Sequence, residues 1–502
     1  MPLQALAAAA TLLTVTPHEN RVELQLNKGS AEIVWVTPGT FRLRRVLDGP
    51  LPWAETVRKD PVAVEVIRSQ NDVRLRTRAL EVVIAKQGVT IEVRKAGGAS
   101  LVRDLGEPRS EAGGVVWERA APAGTDFYGL GPRTDASFSL LGKSLRGEVP
   151  LMVSTAGYGE YHAGAGAYHF DFTGAATPTD GARYKVTGSE IDYYFYYGPT
   201  PKEIFEEHNA VWHAPPWTVS SDRFGSWATL KNAMTRMVQG AMSAANAPMF
   251  DLTPYNGAPE ELKTRARQLG SIVARVTPGA VGLSGLRQQL DTFFGTYVAE
   301  LQDRGFPIWH PLPFQFPNDL EGARHTDEFL LGDEMLIAPI YEPGDERTVY
   351  LPSGIWTNLE TDEVTQGPKT VAVKTKSLPV FAKNGSIVPL NSGNAMALHY
   401  FPKSGAEFFL LEGDLAEYSQ VHAAPALDFL RLEIESKKDR DYQWVVHHVN
   451  KPSSVGFDGK AYRQVQGGEM GDRTWSYSER SRSLQVRATV KAGEDCRVNV
   501  EY

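Results

Sequence analysis

The sequence predicts a multi-domain chain in which all-β regions flank a central α/β segment. Three observations predict it. The length of 502 residues corresponds to three or four domains at roughly 100–200 residues each. Apolar and polar residues alternate with period two up to about residue 197 and again after about residue 342, the period of half-buried strands. Between those limits the apolar spacing lengthens to that of a helix, interrupted by short apolar runs.

Residues 3–14 (LQALAAAATLLT) are apolar. The run is too short to span a bilayer, and no Lys or Arg precedes it, Arg21 being the first basic residue. It reads either as a first strand with an Ala-rich lead or as an atypical secretory signal. Location therefore stays open between cytoplasmic and secreted or periplasmic. No other stretch reads as transmembrane.

Beyond it, Val22, Leu24 and Leu26 alternate with Glu23 and Gln25, and Val73 and Leu75 with Arg74 and Arg76. Val89, Ile91 and Val93 alternate with Thr90, Glu92 and Arg94. Turn signals at Pro38-Gly39, Asn71-Asp72 and Gly97-Gly98 separate such runs. This is the pattern of a two-sheet β-sandwich, and it continues to Tyr193–Tyr197.

Pro201 opens a short helix after Gly198-Pro199-Thr200. After Pro215-Pro216-Trp217 three helical stripes follow. Leu230, Met234, Met237 and Met242 form the first, and Leu262, Ala266, Leu269 and Val273 the second, with Pro259 placed as a first-turn proline. Leu286, Leu290, Phe293, Tyr297 and Leu301 form the third, ended by Gly305 and Pro307. The apolar runs Pro248–Leu252 and Met335–Ile340 read as strands, so strand and helix alternate as in parallel βα units. The final β unit holds strand candidates at Phe408–Leu411, Trp444–Val449 and Leu484–Val490.

A formal net charge of -8 excludes a large basic nucleic-acid footprint. Cys496 is the one cysteine, so neither an internal disulfide nor a cysteine zinc site is available. The 11 histidines show no H-E-x-x-H or H-x-x-E-H spacing, and His447 and His448 would point to opposite faces of a strand. No metal or other cofactor is indicated.

Several segments resemble glycoside hydrolase family 31, the α-glucosidase-like enzymes. Phe127-Tyr128-Gly129-Leu130-Gly131-Pro132-Arg133-Thr134 resembles the F-Y-G-L-G-E-R-T turn of the family's N-terminal sandwich. Ile191–Phe195 with Gly198–Glu203 resembles the segment leaving that sandwich, and Pro215-Pro216-Trp217 the start of the catalytic barrel. Gly305–Leu312 with Phe316-Pro317-Asn318-Asp319 resembles the G-L-P-V-x-R-P-L…F-P-D-D stretch. Phe329–Asp333 and Leu336–Ile340 resemble the last barrel strand, and Val349–Trp356 and Pro379–Pro389 the first C-terminal sandwich.

The resemblance implies a multi-domain α/β plus all-β protein divided four ways. Residues 12–212 would form a galactose-mutarotase-like β-sandwich, and 213–342 an incomplete (β/α) barrel matching the C-terminal half of the family's catalytic domain. Residues 343–393 and 394–502 would form two C-terminal β-sandwich domains. It also implies retaining hydrolysis of α-glycosidic bonds, in which one carboxylate attacks the anomeric carbon and another acts as acid, then base.

By this resemblance Ser220–Trp227 carries the acid/base, Asp222, with Ser221 where the family has Gly. Met249-Phe250-Asp251-Leu252 matches the strand end whose Asp contacts sugar. Asp251, with Phe250 beside it and Trp227 in the neighbouring segment, is the implied substrate-binding set. Thr253-Pro254 replaces the family's Gly-Gly, so that loop must differ. Asp222 and Asp251 are 29 residues apart, close to the roughly 30 residues of one βα unit in an eight-fold barrel. The spacing alone fits equally two loop or N-cap aspartates.

The family's nucleophile strand, W-x-D-M-N-E, has no counterpart. A complete barrel takes about 250 residues, whereas Trp217 to Pro339 spans 123, room for roughly four units. The active-site His of F-R-x-H falls near Val273-Ala274-Arg275-Val276, where no His stands. The N-T-D loop of the sandwich is also missing, Leu145–Glu148 running straight into Val149. The readings that follow are an impaired carbohydrate-active hydrolase, a non-catalytic carbohydrate-binding protein, or a structural interaction protein. Carbohydrate is the expected partner, without nucleic acid or membrane. Four strands cannot close a barrel, so a second copy of the chain or the flanking sandwiches would cover the open edges.

Overall fold

The structure, a computed structural model, describes every residue except 1–8, 53–59, 175–180, 213–217, 220–223, 246–247, 274, 278–284, 394, 414–416, 458 and 467–469. Residues 3–8 of the signal-like stretch lie outside the described residues. It is mostly β, with few helices and several sheets. Two compact units divide it, Met1–Pro215 with Gln239–Ala245, and Pro216–Val238 with Asn246–Tyr502.

The first unit holds two large antiparallel sheets. One has eight strands, in the order Leu12–Pro17, Arg21–Leu26, Ser30–Thr37, Thr40–Val46, Ile191–Tyr197, Tyr158–His162, Leu151–Ser154 and Phe127–Gly129. The other has ten and is built on Ala182–Gly188, Gly114–Ala121, Ser100–Asp104, Ile91–Lys95, Leu80–Ala85 and Asp72–Arg76. Val22, Leu24, Leu26, Val73, Leu75, Ile91 and Val93 are all buried in one apolar core, as the alternation predicts. Val89 departs from the expected strand. It and Gly88 take left-handed backbone (φ 47° and 72°), so they form the hairpin turn ahead of Ile91.

Charged residues also enter this core. Arg119, fully buried, reaches from the ten-stranded sheet to the fully buried Glu160 of the other and hydrogen-bonds to it. Its Nε also meets Asp104 at 3.0 Å. Tyr184 donates to Glu160 at 2.8 Å, and the Arg119 guanidinium lies 5.2 Å from the centre of the Tyr193 ring. Burial opposes both charges, yet Glu160 holds Arg119 well above its usual pKa and Arg119 holds Glu160 below its own. Burial pushes Asp104 up and His162 down.

Phe127–Thr134 makes a turn whose Gly129, Leu130 and Gly131 all have left-handed φ (104°, 66° and 103°). A side chain at Gly129 would stand 2.4 Å from the Leu151 carbonyl oxygen, and one at Gly131 2.9 Å from Glu148. Glycine is required there. Arg133 ties the turn by donating to the Gly129 and Phe138 carbonyls and to Gln239, and the Gly131 N–H donates to Ser243 Oγ at 2.8 Å. The unit also includes α1 (Pro201–Asn209), where Glu203 accepts from Thr200 N and Oγ1 at 2.8 Å each.

The second unit begins with a three-stranded parallel sheet, Thr218–Val219, Met249–Phe250 and Arg275–Val276. Helix α2 (Trp227–Ala241) leads from the first strand to the second, and α3 (Glu260–Ser271) from the second to the third. Leu230, Met234 and Met237 of α2 and Leu262, Ala266 and Leu269 of α3 are buried. The third predicted stripe divides at Leu290 into α4 (Gly285–Gln289) and α5 (Asp291–Arg304). Gly305 (φ 75°) caps α5, its N–H donating to the Leu301 carbonyl. Pro259 stands one place earlier than expected, as the N-cap of α3.

Met335–Ile337 is a strand, but it pairs antiparallel with Phe329–Leu331 and Val380–Lys383 in a six-stranded sheet, instead of extending the parallel one. That sheet also contains Trp309–Pro311, which leads into the short helix α6 (Leu312–Gln315), and the long hairpin Glu346–Asn358/Val364–Lys374. Two further six-stranded sheets complete the unit. Ser386–Ser392 pairs along its length with Ala395–Phe401, so hydrogen bonding crosses the boundary expected at 393. The candidates Phe408–Leu411 and Leu484–Val490 lie in strands Ala406–Leu411 and Ser483–Val490, while Trp444–Val449 is cut short, its strand ending at Val446.

Arg265 fastens α3 to the six-stranded sheet's loops. Its guanidinium donates to the carbonyls of Gly344, Thr375, Lys376 and Ser377 at 3.0–3.1 Å and is almost fully buried. Replacing Arg265 by Leu strands four carbonyls and is expected to lower stability by on the order of 3 kcal/mol. Arg119→Met, which leaves Glu160 buried beside no cation, is expected to cost about 3–5 kcal/mol. Urea denaturation of each variant against the parent measures both.

Candidate functional site

The loops that follow the parallel strands are where sequence placed the chemistry. Asp222 lies outside the described residues. Asp251 directly follows Met249–Phe250, is partly buried, and closes a tight turn: its Oδ1 accepts from Thr253 N at 2.9 Å and Thr253 Oγ1 at 2.8 Å. Thr253-Pro254, substituting for Gly-Gly, thereby opens a 3-10 turn over Thr253–Tyr255. Aspartate suits this position because its short carboxylate reaches the backbone two residues on. The Thr277 N–H donates to the Phe250 carbonyl at 3.1 Å and the Leu252 N–H to Thr277 Oγ1 at 3.2 Å, binding this loop to the next strand.

On its other side the Gly225 N–H donates to the Pro254 carbonyl at 2.9 Å. A side chain at Gly225 would come within 2.6 Å of the Tyr255 ring. The loop three residues beyond Asp222 is thus in contact with the loop that carries Asp251. Ser226 then caps α2 by accepting from the Thr229 N–H at 3.1 Å, and Trp227, partly exposed, occupies the first turn. Phe250 is fully buried, with its ring 6.0 Å from that of Tyr255, so it forms the floor beneath the loops. Phe224 is 74% exposed. Sequence reasoning passed over it, although an aromatic residue two places after Asp222 in a Gly-Ser loop was a readable signal.

In residues 224–226, 251–258 and 277, all described, Asp251 is the one carboxylate. The arrangement offers one acidic group, aromatic surface and exposed backbone. A retaining mechanism takes two carboxyl groups about 5–5.5 Å apart.

A second polar cluster lies in the loop that leads into the strand Phe329–Leu331. His325, Asp327 and Glu328 bring one possible ligand atom each within 4.8 Å of one another, beside a cavity of about 660 Å³ that Tyr341 and Lys374 also line. Arg347 already sits among them, 3.2 Å from Asp327 and 3.7 Å from Glu328, and Tyr341 donates to Asp327 at 2.5 Å. Burial pushes the Glu328 carboxyl up to about 8 despite Arg347. Burial acts on Asp327 in the same sense, but Arg347 and Tyr341 hold it below its ordinary value. The guanidinium lies within ion-pair distance of both carboxyl groups.

Residues 305–388 match the glycosyl hydrolase family 31 C-terminal domain. α-Glucosidase 2 of Bacillus thermoamyloliquefaciens is 29% identical over 210 residues, 36% of this chain and 26% of that protein. The α-glucosidase of Saccharolobus solfataricus is 34% identical over 105 residues, 21% and 15% of the two chains. The chain spans about a quarter or less of the length of these relatives. Among solved structures, the family 31 dextranase of Flavobacterium johnsoniae complexed with glucose superposes with a TM-score of 0.82 at 13% identity, covering 99% of this chain and 100% of that one. The cycloalternan-forming enzyme of Listeria monocytogenes does so with 0.78 at 13%, covering 98% and 77%. Over residues 305–388 and in its α-glucosidase matches the chain is similar to glycoside hydrolase family 31, and the solved structures show the shared fold.

The contact between the two loops predicts that Gly225→Ala forces Tyr255 or Pro254 to move. A loss of roughly 1–3 kcal/mol is expected, read as a lower urea midpoint.

Proposed function

We propose that this chain is a carbohydrate-active protein of family 31 whose ancestral chemistry is retaining hydrolysis of α-glycosidic bonds and whose own catalysis is impaired. One observation carries the reading. The α/β segment supplies three parallel strands among the described residues, and the sequence around them contains no counterpart of the nucleophile motif. Without an attacking carboxylate no covalent glycosyl intermediate forms, and the rate falls by orders of magnitude.

In this reading residues 213–342 are a partial barrel between an N-terminal sandwich and two C-terminal sandwich domains. Asp222 occupies the ancestral acid/base position. Asp251 and Trp227 contact sugar, with Phe250 as the floor and Phe224 as a further aromatic face, since sugars stack on flat rings. Sugar binding without turnover, the second reading, is favoured by the same set, because Asp251 and the aromatic residues stand without a second described carboxylate in these loops.

Titration calorimetry with maltotriose and isomaltotriose, run beside an aryl α-glucoside assay, tests both readings. The expected outcome is saturable binding weakened by Asp251→Asn and Trp227→Ala, with hydrolysis roughly 10³-fold or more below that of a complete family enzyme. Efficient turnover abolished by Asp222→Asn would show that catalysis is intact. No binding to either sugar would leave the structural reading. The outer strands of the parallel sheet, Thr218–Val219 and Arg275–Val276, are the edges a second copy would cover. Light scattering should then report a dimer, and a strict monomer at micromolar concentration would remove that part.

A further inference from the structure

We propose that the joint between the hairpin Glu346–Asn358/Val364–Lys374 and the sheet containing Ala395–Phe401 and Arg440–Val446 is a latch opened by acid, built from His399, His447, His448 and Asp362. His447 and His448 would point apart if the strand continued through them. It ends at Val446, and left-handed backbone at His448 (φ 52°) turns both rings toward Asp362, which sits at the hairpin tip with φ 61°. Asp362 Oδ1 lies 3.1 Å from His448 Nε2 and 3.7 Å from His447 Nδ1. The other nitrogen of His447 faces His399 Nδ1 at 3.1 Å. The His447 ring lies flat on Phe401, centroids 4.3 Å apart and planes 11° apart.

The titratable groups facing His447 are thus His399 from the neighbouring strand, His448 from its own segment and Asp362 from the hairpin. A 3.1 Å contact between two imidazoles joins one donor to one acceptor, so the accepting ring must be neutral and the pair cannot hold with both rings protonated. A proton on each would set two cations face to face. Burial lowers His399 to about 4, and burial with the two neighbouring histidines lowers His447 to about 3. The sign follows from linkage. Released histidines titrate near 6.5, so below that pH the open form binds protons the closed form refuses. Closure is complete above about 6.5 and is lost as pH falls toward 4 and then 3.

Between pH 7.5 and 4.5 each of the two rings should multiply the opening constant by about 10². The test measures urea midpoints of the full chain at both pH values in the parent and in a His399→Phe/His447→Phe variant, which keeps the ring against Phe401. The variant should lose much less stability on acidification than the parent, and an unchanged acid loss overturns the latch. Should the variant fail to fold, the parent's own histidine ring protons decide: His399 and His447 must stay unprotonated at pH 5, and titration of either near 6.5 overturns the proposal. Amide exchange corrected for its intrinsic pH dependence should rise in acid at His447 and Asp362 before it rises at Leu432, and simultaneous onset would make the effect global unfolding instead.

Discussion

Arg119 and Glu160 bring opposite charges into the first unit from opposite sheets, and neither has any solvent exposure. Removing such ions from water costs several kcal/mol apiece even after relaxation. The pair is therefore tolerable only at close contact, with part of the leftover hydrogen-bonding capacity used by Asp104 and Tyr184. That requirement fixes the spacing and register of two sheets that could otherwise slide on a greasy interface. Apolar burial drives the sheets together without direction, whereas the ion pair supplies one admissible alignment. The glycine-flanked turn at Gly129–Gly131 hangs from the edge strand of one of these sheets, so its contacts inherit that alignment.

The second unit is organised by a different economy of contacts. Its parallel strands are two residues long, too short to hold by ladder hydrogen bonds alone. The helices between them are held by buried apolar faces, and α3 is additionally pinned through Arg265. Loop geometry at the ends of these strands follows from side chains that satisfy backbone groups: Asp251 for its own turn, Ser226 for the start of α2, and Thr277 for the join between strands.

Much of this was legible in the sequence. Alternation exposed the sandwich strands because one face of each is buried, and spacing of three and four exposed α2, α3 and α5 for the same reason. The break at Leu290 was hidden, since an apolar stripe continues across it and backbone angles leave no mark on such a pattern. Met335–Ile337 was readable as a strand but not as an antiparallel one, because a fully buried run looks the same in either kind of sheet. The inward direction of Arg119 was invisible as well: period two says that neighbours face opposite ways, not which charged residue has found a partner inside. At the site, the family motif led to Asp251 and Trp227, while the buried setting of Phe250 and the open one of Phe224 depended on a loop whose sequence departs from that motif.

The Arg265 anchorage has a consequence for how such a chain can evolve. Units of an α/β repeat can be deleted as long as each remaining helix keeps the contacts that hold it. α3 is the helix whose side chain ties off four carbonyls of the following β region, so its excision would tear open a neighbour as well as shorten the repeat.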